Sequence, residues 1–95
     1  MNAVLMISER DNVATALEAI DAGREVRAGA WTVVAAEANP RGHKLAVRAI
    51  RAGEPVMKYG SPIGTASTDI AAGAHVHTHN VASTRGRGDL AAESR

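Results

Sequence analysis

Three histidines at alternate positions, His75-Val76-His77-Thr78-His79, with Asn80 after them, are the residues of this chain best suited to chemistry. In an extended strand, residues i, i+2 and i+4 share a face. The spacing therefore predicts a strand over 75–81 with three imidazoles on one side. Neutral imidazole is the commonest metal ligand and also exchanges protons near neutral pH. The row reads either as a metal or proton-transfer site or as a polar strand face without chemistry. At a rise of ~3.3 Å per residue, the Cα atoms of His75 and His79 stand roughly 13 Å apart. One ion shared by all three is then strained, and the pair His77 and His79 is the easier metal site. The fourth histidine lies in Pro40-Arg41-Gly42-His43-Lys44, where a turn opening a strand exposes an imidazole beside an ammonium group. Lys58-Tyr59-Gly60 ends another strand, and its ammonium and phenol suit a carboxylate substrate.

The elements that must hold these groups are short. Ala3 to Ile7 reads as a buried strand. Asp11 is placed to cap a helix over 12–22, in which Val13, Ala16, Leu17 and Ile20 fall at helical spacing and Gly23 stops the run. Strands are predicted over 25–27, 31–36, 44–47, 56–59 and 63–66, separated by Gly or Pro as in a compact β structure. Ile-x-Ala-Gly-x-x-Val occurs three times, from Ile20, Ile50 and Ile70. Ile anchors the core, Gly takes a backbone conformation other residues resist, and Val opens the next strand. Strands thus enter through similar corners. The fold class expected is mainly β with one helix, in a single small domain over 1–83. Residues 84–95, with almost no apolar content, are expected to form a flexible tail.

Composition narrows the function. Of the 95 residues 45% are apolar, but only two are aromatic (one Trp and one Tyr, no Phe), and counting the sequence gives twenty alanines. So thin a core leans on tight backbone packing or on a partner. A net charge of +1 gives no general attraction for nucleic acid or an anionic membrane, so neither is expected as a partner. No apolar run approaches a membrane span, and the start lacks the pattern of a signal peptide, so a cytoplasmic location is expected. The absence of cysteine removes disulfides, thiolate metal sites and Cys nucleophiles. The glycine run Gly60-Ser61-Pro62-Ile63-Gly64 lacks the Lys-Ser/Thr of a phosphate loop.

Taken in order, Gly42-His43-Lys44, Ala52-Gly53-Glu54-Pro55-Val56-Met57-Lys58-Tyr59-Gly60, Ile63-Gly64, Ile70-Ala71-Ala72-Gly73 and His75-Val76-His77-Thr78-His79-Asn80 resemble the SAF domain of the altronate/galactarate dehydratase family. Asp11-Asn12-Val13-Ala14 is similar to that family's start, and the resemblance covers roughly residues 5–81. It implies a β-clip fold, found as the N-terminal part of such dehydratases or as a free-standing small subunit, as in (2R)-sulfolactate sulfo-lyase.

Such enzymes remove the proton α to a carboxylate and expel a β-hydroxyl, or sulfite in the case of sulfolactate. The reaction needs a cation on the carboxylate, a base for the proton and an acid for a leaving oxygen. The resemblance implies catalytic roles for His43, His77 and His79, and substrate-binding roles for Lys44, Lys58 and Asn80. A divalent metal (iron, manganese or magnesium) is expected to be held mainly by a large lyase subunit, with His77 and His79 as candidate ligands here. The expected function is a lyase part that completes an active site shared with that large subunit and is inactive alone. A homo-oligomer is compatible with this. The alternative is a non-catalytic module of the same fold that binds a carbohydrate or a protein.

Overall fold

The structure, a computed structural model, describes residues 3–83. Nine strands make up its regular structure: β1 (Val4–Leu5), β2 (Val13–Ala16), β3 (Glu25–Ala28), β4 (Trp31–Val34), β5 (Lys44–Ala46), β6 (Pro55–Lys58), β7 (Ser61–Ala66), β8 (His75–Val76) and β9 (Val81–Ser83). All pairings are antiparallel. A central sheet has the order β1-β2-β5-β8, a hairpin is formed by β3-β4, and a third sheet has the order β6-β7-β9.

Period-2 alternation in the central sheet builds a core on each side of it. Ala14, Ala16, Leu45 and Val47 face one way and pack with Val26, Ala28 and Val33 of the β3-β4 hairpin. Val13, Ala46 and Val76 face the other way and pack with Val56 and Ala66 of the third sheet. The register puts like-facing residues opposite one another, Ala14 with Leu45 and Val13 with Ala46.

The predicted helix over 12–22 is absent; the described residues contain no helix, and the expectation of one helix is corrected to none. Val13–Ala16 instead pairs with β1 on one side and β5 on the other. Helical spacing placed Leu17 on the buried face, yet Leu17 is 47% exposed while Ala14, off that stripe, is 1% exposed. A run this short fits both periods, and pairing with two neighbours decided between them. Asp11, read as a helix cap, does accept backbone donors, but across a loop: its carboxylate receives the Ser8 amide (3.1 Å) and the Gly60 amide (2.7 Å).

The repeated corners share one hydrogen-bond device. At Pro40–His43 the His43 amide donates to Pro40 O, the Gly42 amide donates to Ala16 O, and the Ala16 amide donates to His43 O. Two residues thus face one, a bulge with Gly42 at φ 86°. The same three bonds recur with Gly23 against Ala35, Gly53 against Ala66 and Gly73 against Ala46. The corner at Asn39-Pro40-Arg41-Gly42 is a fourth copy, with Asn39 in the place of Ile. Each facing residue is a fully buried alanine, so these alanines serve the close approach of backbone rather than filling volume.

Candidate active site

The fourth corner places His43 immediately before β5, and β5 pairs with the edge strand β8 in the register Lys44 with Val76 and Leu45 with His75. One residue further along, His43 comes opposite His77. His43 Nδ1 lies 2.8 Å from His75 Nε2. Their ring centroids are 5.0 Å apart at 19°, the geometry of nearly coplanar rings joined edge to edge by one shared proton. His77 stacks face to face on His43, at 4.0 Å and 15°. His79 reaches the cluster through His75, at 5.2 Å and 36°.

The strand predicted over 75–81 is interrupted. After Val76 the chain turns through Thr78–Asn80 before β9. Buried Asn80 builds that turn: its Oδ1 accepts the His77 amide (3.0 Å) and its Nδ2 donates to His75 O (2.9 Å). Both polar atoms of the Asn80 side chain are therefore engaged by backbone. The turn folds His79 back, so that His75 and His79 have rings in reach of each other rather than a strand's length apart. The Glu37 carboxylate accepts the His75 amide at 3.1 Å.

Lys44 leaves β5 on the opposite face from His43 and Leu45. With Ile63, His77, Thr78 and Val81 it lines a pocket of about 210 Å³ between the central and third sheets. The bulge between Val56 and Met57 breaks the β6-β7 register and leaves Ile63 without a partner, turned to the pocket rim. Burial, with the positive charge of Lys58 added to it, holds the Lys44 ammonium below the ordinary lysine range. Lys58 sits at the β6-β7 tip with its Nζ 4.8 Å from the centre of the Tyr59 ring. Tyr59 and Gly60 both have positive φ, 56° and 78°, as a two-residue hairpin requires. Asp11 bonds the Gly60 amide, and Asn12 accepts the Met57 amide at 2.7 Å while donating to Pro55 O at 3.0 Å. These two residues pin the tip that carries Lys58.

Burial, together with the positive charge that His43 and His79 would carry, pushes the His75 imidazole below its usual pKa, with Glu37 opposing the shift. His77 is pushed the same way by desolvation, His43, Lys44 and His79. Both shifts favour the neutral imidazole, the form that accepts a proton or offers a lone pair. His43, His75 and His77 each present a ring nitrogen within 4.8 Å of the other two; His79 is outside this trio. The sequence had singled out the row 75/77/79 and a separate turn at His43. It missed that His43 and His75 form a hydrogen-bonded pair. The signal lay in the spacing Asn39-x-x-Gly42, which repeats the Ile-x-x-Gly corners and places His43 one residue before a paired strand.

The family model for the altronate/galactarate dehydratase SAF domain matches residues 2–84. Among curated proteins, the chain is 49% identical over 76 residues to an altronate dehydratase of Escherichia coli (strain K12), covering 80% of this chain and 15% of that protein. It is 39% identical over 80 residues to an altronate dehydratase of Bacillus subtilis (strain 168), covering 84% of this chain and 16% of that protein. It is 48% identical over 46 residues to the (2R)-sulfolactate sulfo-lyase subunit alpha of Paracoccus pantotrophus, covering 48% of this chain and 69% of that subunit. The chain thus spans about a sixth of the altronate dehydratases it matches. No helix among the described residues is long and apolar enough to cross a membrane. A match running from residue 2 to residue 84 makes this chain a member of the altronate/galactarate dehydratase SAF domain family.

Proposed function

We propose that this chain is the small domain or subunit of a lyase that eliminates water or sulfite from a 2-hydroxy acid, in an active site shared with a larger subunit or domain. The observation that carries the proposal is the convergence of four histidines, one of which, His77, also lines the Lys44 pocket. His43 arrives from β5 and the other three from β8 and its turn, so proton-transfer groups and a partly desolvated ammonium sit together. Burial and the nearby charge of Lys58 raise the cost of carrying charge on Lys44, and a bound carboxylate offsets that cost. These two lysines take the substrate carboxylate.

In the elimination, one neutral imidazole of His43, His77 or His79 accepts the α-proton. The β-hydroxyl leaves as water after taking a proton from a second donor, and the resulting enol becomes a 2-keto-3-deoxy acid. With sulfolactate the β-sulfonate leaves as sulfite, which needs no proton to depart, and the product is pyruvate. Asn80 acts by fixing the turn that presents His77 and His79. A divalent metal, held mainly by the larger part, would supply Lewis-acid polarisation of the substrate carboxylate.

The test is reconstitution with the large lyase chain, assayed on altronate, galactarate and sulfolactate. His77→Ala should lower turnover by about 10²- to 10⁴-fold while the complex still assembles, the span of a lost proton-transfer group. Loss of assembly with unchanged turnover in the residual complex would instead identify a non-catalytic binding module.

A further inference from the structure

The His43–His75 contact has a chemistry of its own. The two ring nitrogens lie 2.8 Å apart in nearly coplanar rings, so that one donates its proton in the ring plane and the other accepts it. A metal ion can take that proton's place. Two nitrogens on one tetrahedral ion at ~2.0–2.1 Å stand roughly 3.3 Å apart. The pair therefore has to open by roughly half an ångström, and the two rings, now aimed at each other, have to turn so that both lone pairs converge on the ion. The third nitrogen of the trio belongs to His77, within 4.8 Å of both. Its backbone amide is fixed by Asn80, and its ring, stacked face to face on His43, has to turn about its side-chain bonds to aim a nitrogen at the shared ion. Glu37, held at the His75 amide, adds negative potential beside His75.

We propose that His43, His75 and His77 form a binding site within this chain for one borderline divalent transition-metal ion, such as zinc or cobalt. The donor set is three imidazoles with neither carboxylate nor thiolate. That set excludes magnesium and calcium, which demand oxygen ligands, and matches the borderline ions. Three protein ligands leave a fourth position open to water or to an oxygen of a bound hydroxy acid. The site differs from a His77–His79 pair and from any metal held by a larger partner. It does not depend on the lyase reading.

The test is a titration of the metal-free 95-residue chain with Co²⁺ at neutral pH, followed by visible absorption and by imidazole ¹H–¹⁵N spectra, with Zn²⁺ displacement and Mg²⁺ as competitor. The expected result is one equivalent bound, tetrahedral-type absorption abolished by Zn²⁺ but not by Mg²⁺, and ring shifts on Zn²⁺ binding at His43, His75 and His77. His75→Ala should weaken binding by more than about 100-fold, beyond what loss of an outer-shell partner costs. Ring shifts confined to His77 and His79, binding unchanged in His75→Ala, or displacement by Mg²⁺ would each overturn the proposal. The spectra of the unsubstituted chain decide the matter even if a variant does not fold. Turnover lost on reconstitution while Co²⁺ still binds the trio would sink the lyase reading and leave the metal site standing.

Discussion

Asp11 shows how much a single side chain can organise here. It is 1% exposed and charged, and it survives burial because backbone amides face it. Burial alone raises its pKa, but the amides of Gly60, Ser8, Tyr59 and Ile7 outweigh that and hold the carboxyl below its ordinary 3.8. A depressed folded-state pKa means that charge favours folding. The contribution is complete above the unfolded value and is lost as pH falls through the folded one. Asp11→Asn should therefore cost on the order of 1–3 kcal/mol at neutral pH, through lost acceptors at a buried site. It should also flatten the fall in stability below about pH 4 that the unsubstituted chain displays. Urea titrations across the acid range measure both, and equal acid sensitivity in the two proteins would refute the assignment. From the sequence, Asp11 was legible as an acceptor of backbone donors but not as a tie to Gly60, because its partner lies 49 residues away. The histidines divide in the same way. The row 75/77/79 is visible in sequence, whereas His43 joins it only through the pairing of β5 with β8.

At the scale of elements, the corners were the most legible part of the fold. Three copies stand in the sequence as Ile-x-Ala-Gly-x-x-Val, and each becomes the same turn and bulge. The fourth was masked because Asn39 and Arg41 stand where Ile and Ala do elsewhere, although its glycine kept the spacing. The helix was misread for a related reason: alanine-rich stretches next to bulges carry neither period strongly, and the buried alanines belong to strands. The corners differ in how much room they leave, and this yields a graded prediction. Gly23, at φ 90°, has nothing within 4 Å of an added Cβ, whereas a Cβ on Gly73 would strike the carbonyl oxygen of Val34. Gly23→Ala should cost roughly 1–2 kcal/mol, the penalty of a left-handed conformation alone. Gly73→Ala adds a backbone collision between β4 and the corner that leads into β8, so it should cost at least about 2 kcal/mol more and disturb the His75 resonances. Urea midpoints of the two variants measure the difference, and equal losses would mean that the crowding at Gly73 carries no energetic weight.

For the molecule as a whole, the arrangement of the cores determines how the site is kept. Two cores lie on opposite faces of a single central sheet, and neighbouring residues of β5 serve different ones, Leu45 the first and Ala46 the second. The side chains of the candidate site inherit this division. His43, just before β5, lies on the side of Leu45 and Lys44 on the side of Ala46, so the pocket and the imidazole cluster keep their relation only while both cores are intact. Such a sheet cannot release one face without loosening the other, and unfolding should be a single cooperative transition. Trp31, the only tryptophan, sits on β4 over the first core, where Arg48 approaches its ring at 5.7 Å. Ile70 lies 3% exposed in the second core, bridged to Ile50. Ile70→Ala should cost about 2–5 kcal/mol by opening a cavity. Its effect should appear equally in Trp31 fluorescence, although Trp31 lies over the other core. If the Trp31 midpoint stayed at its original denaturant concentration while circular dichroism fell to a lower one, the cores would be separable units. The cluster at β8 would then be held by the second core alone. Coincident shifts by the two probes are the expected result, because β2 and β5 contribute side chains to both cores and cannot remain folded for only one of them.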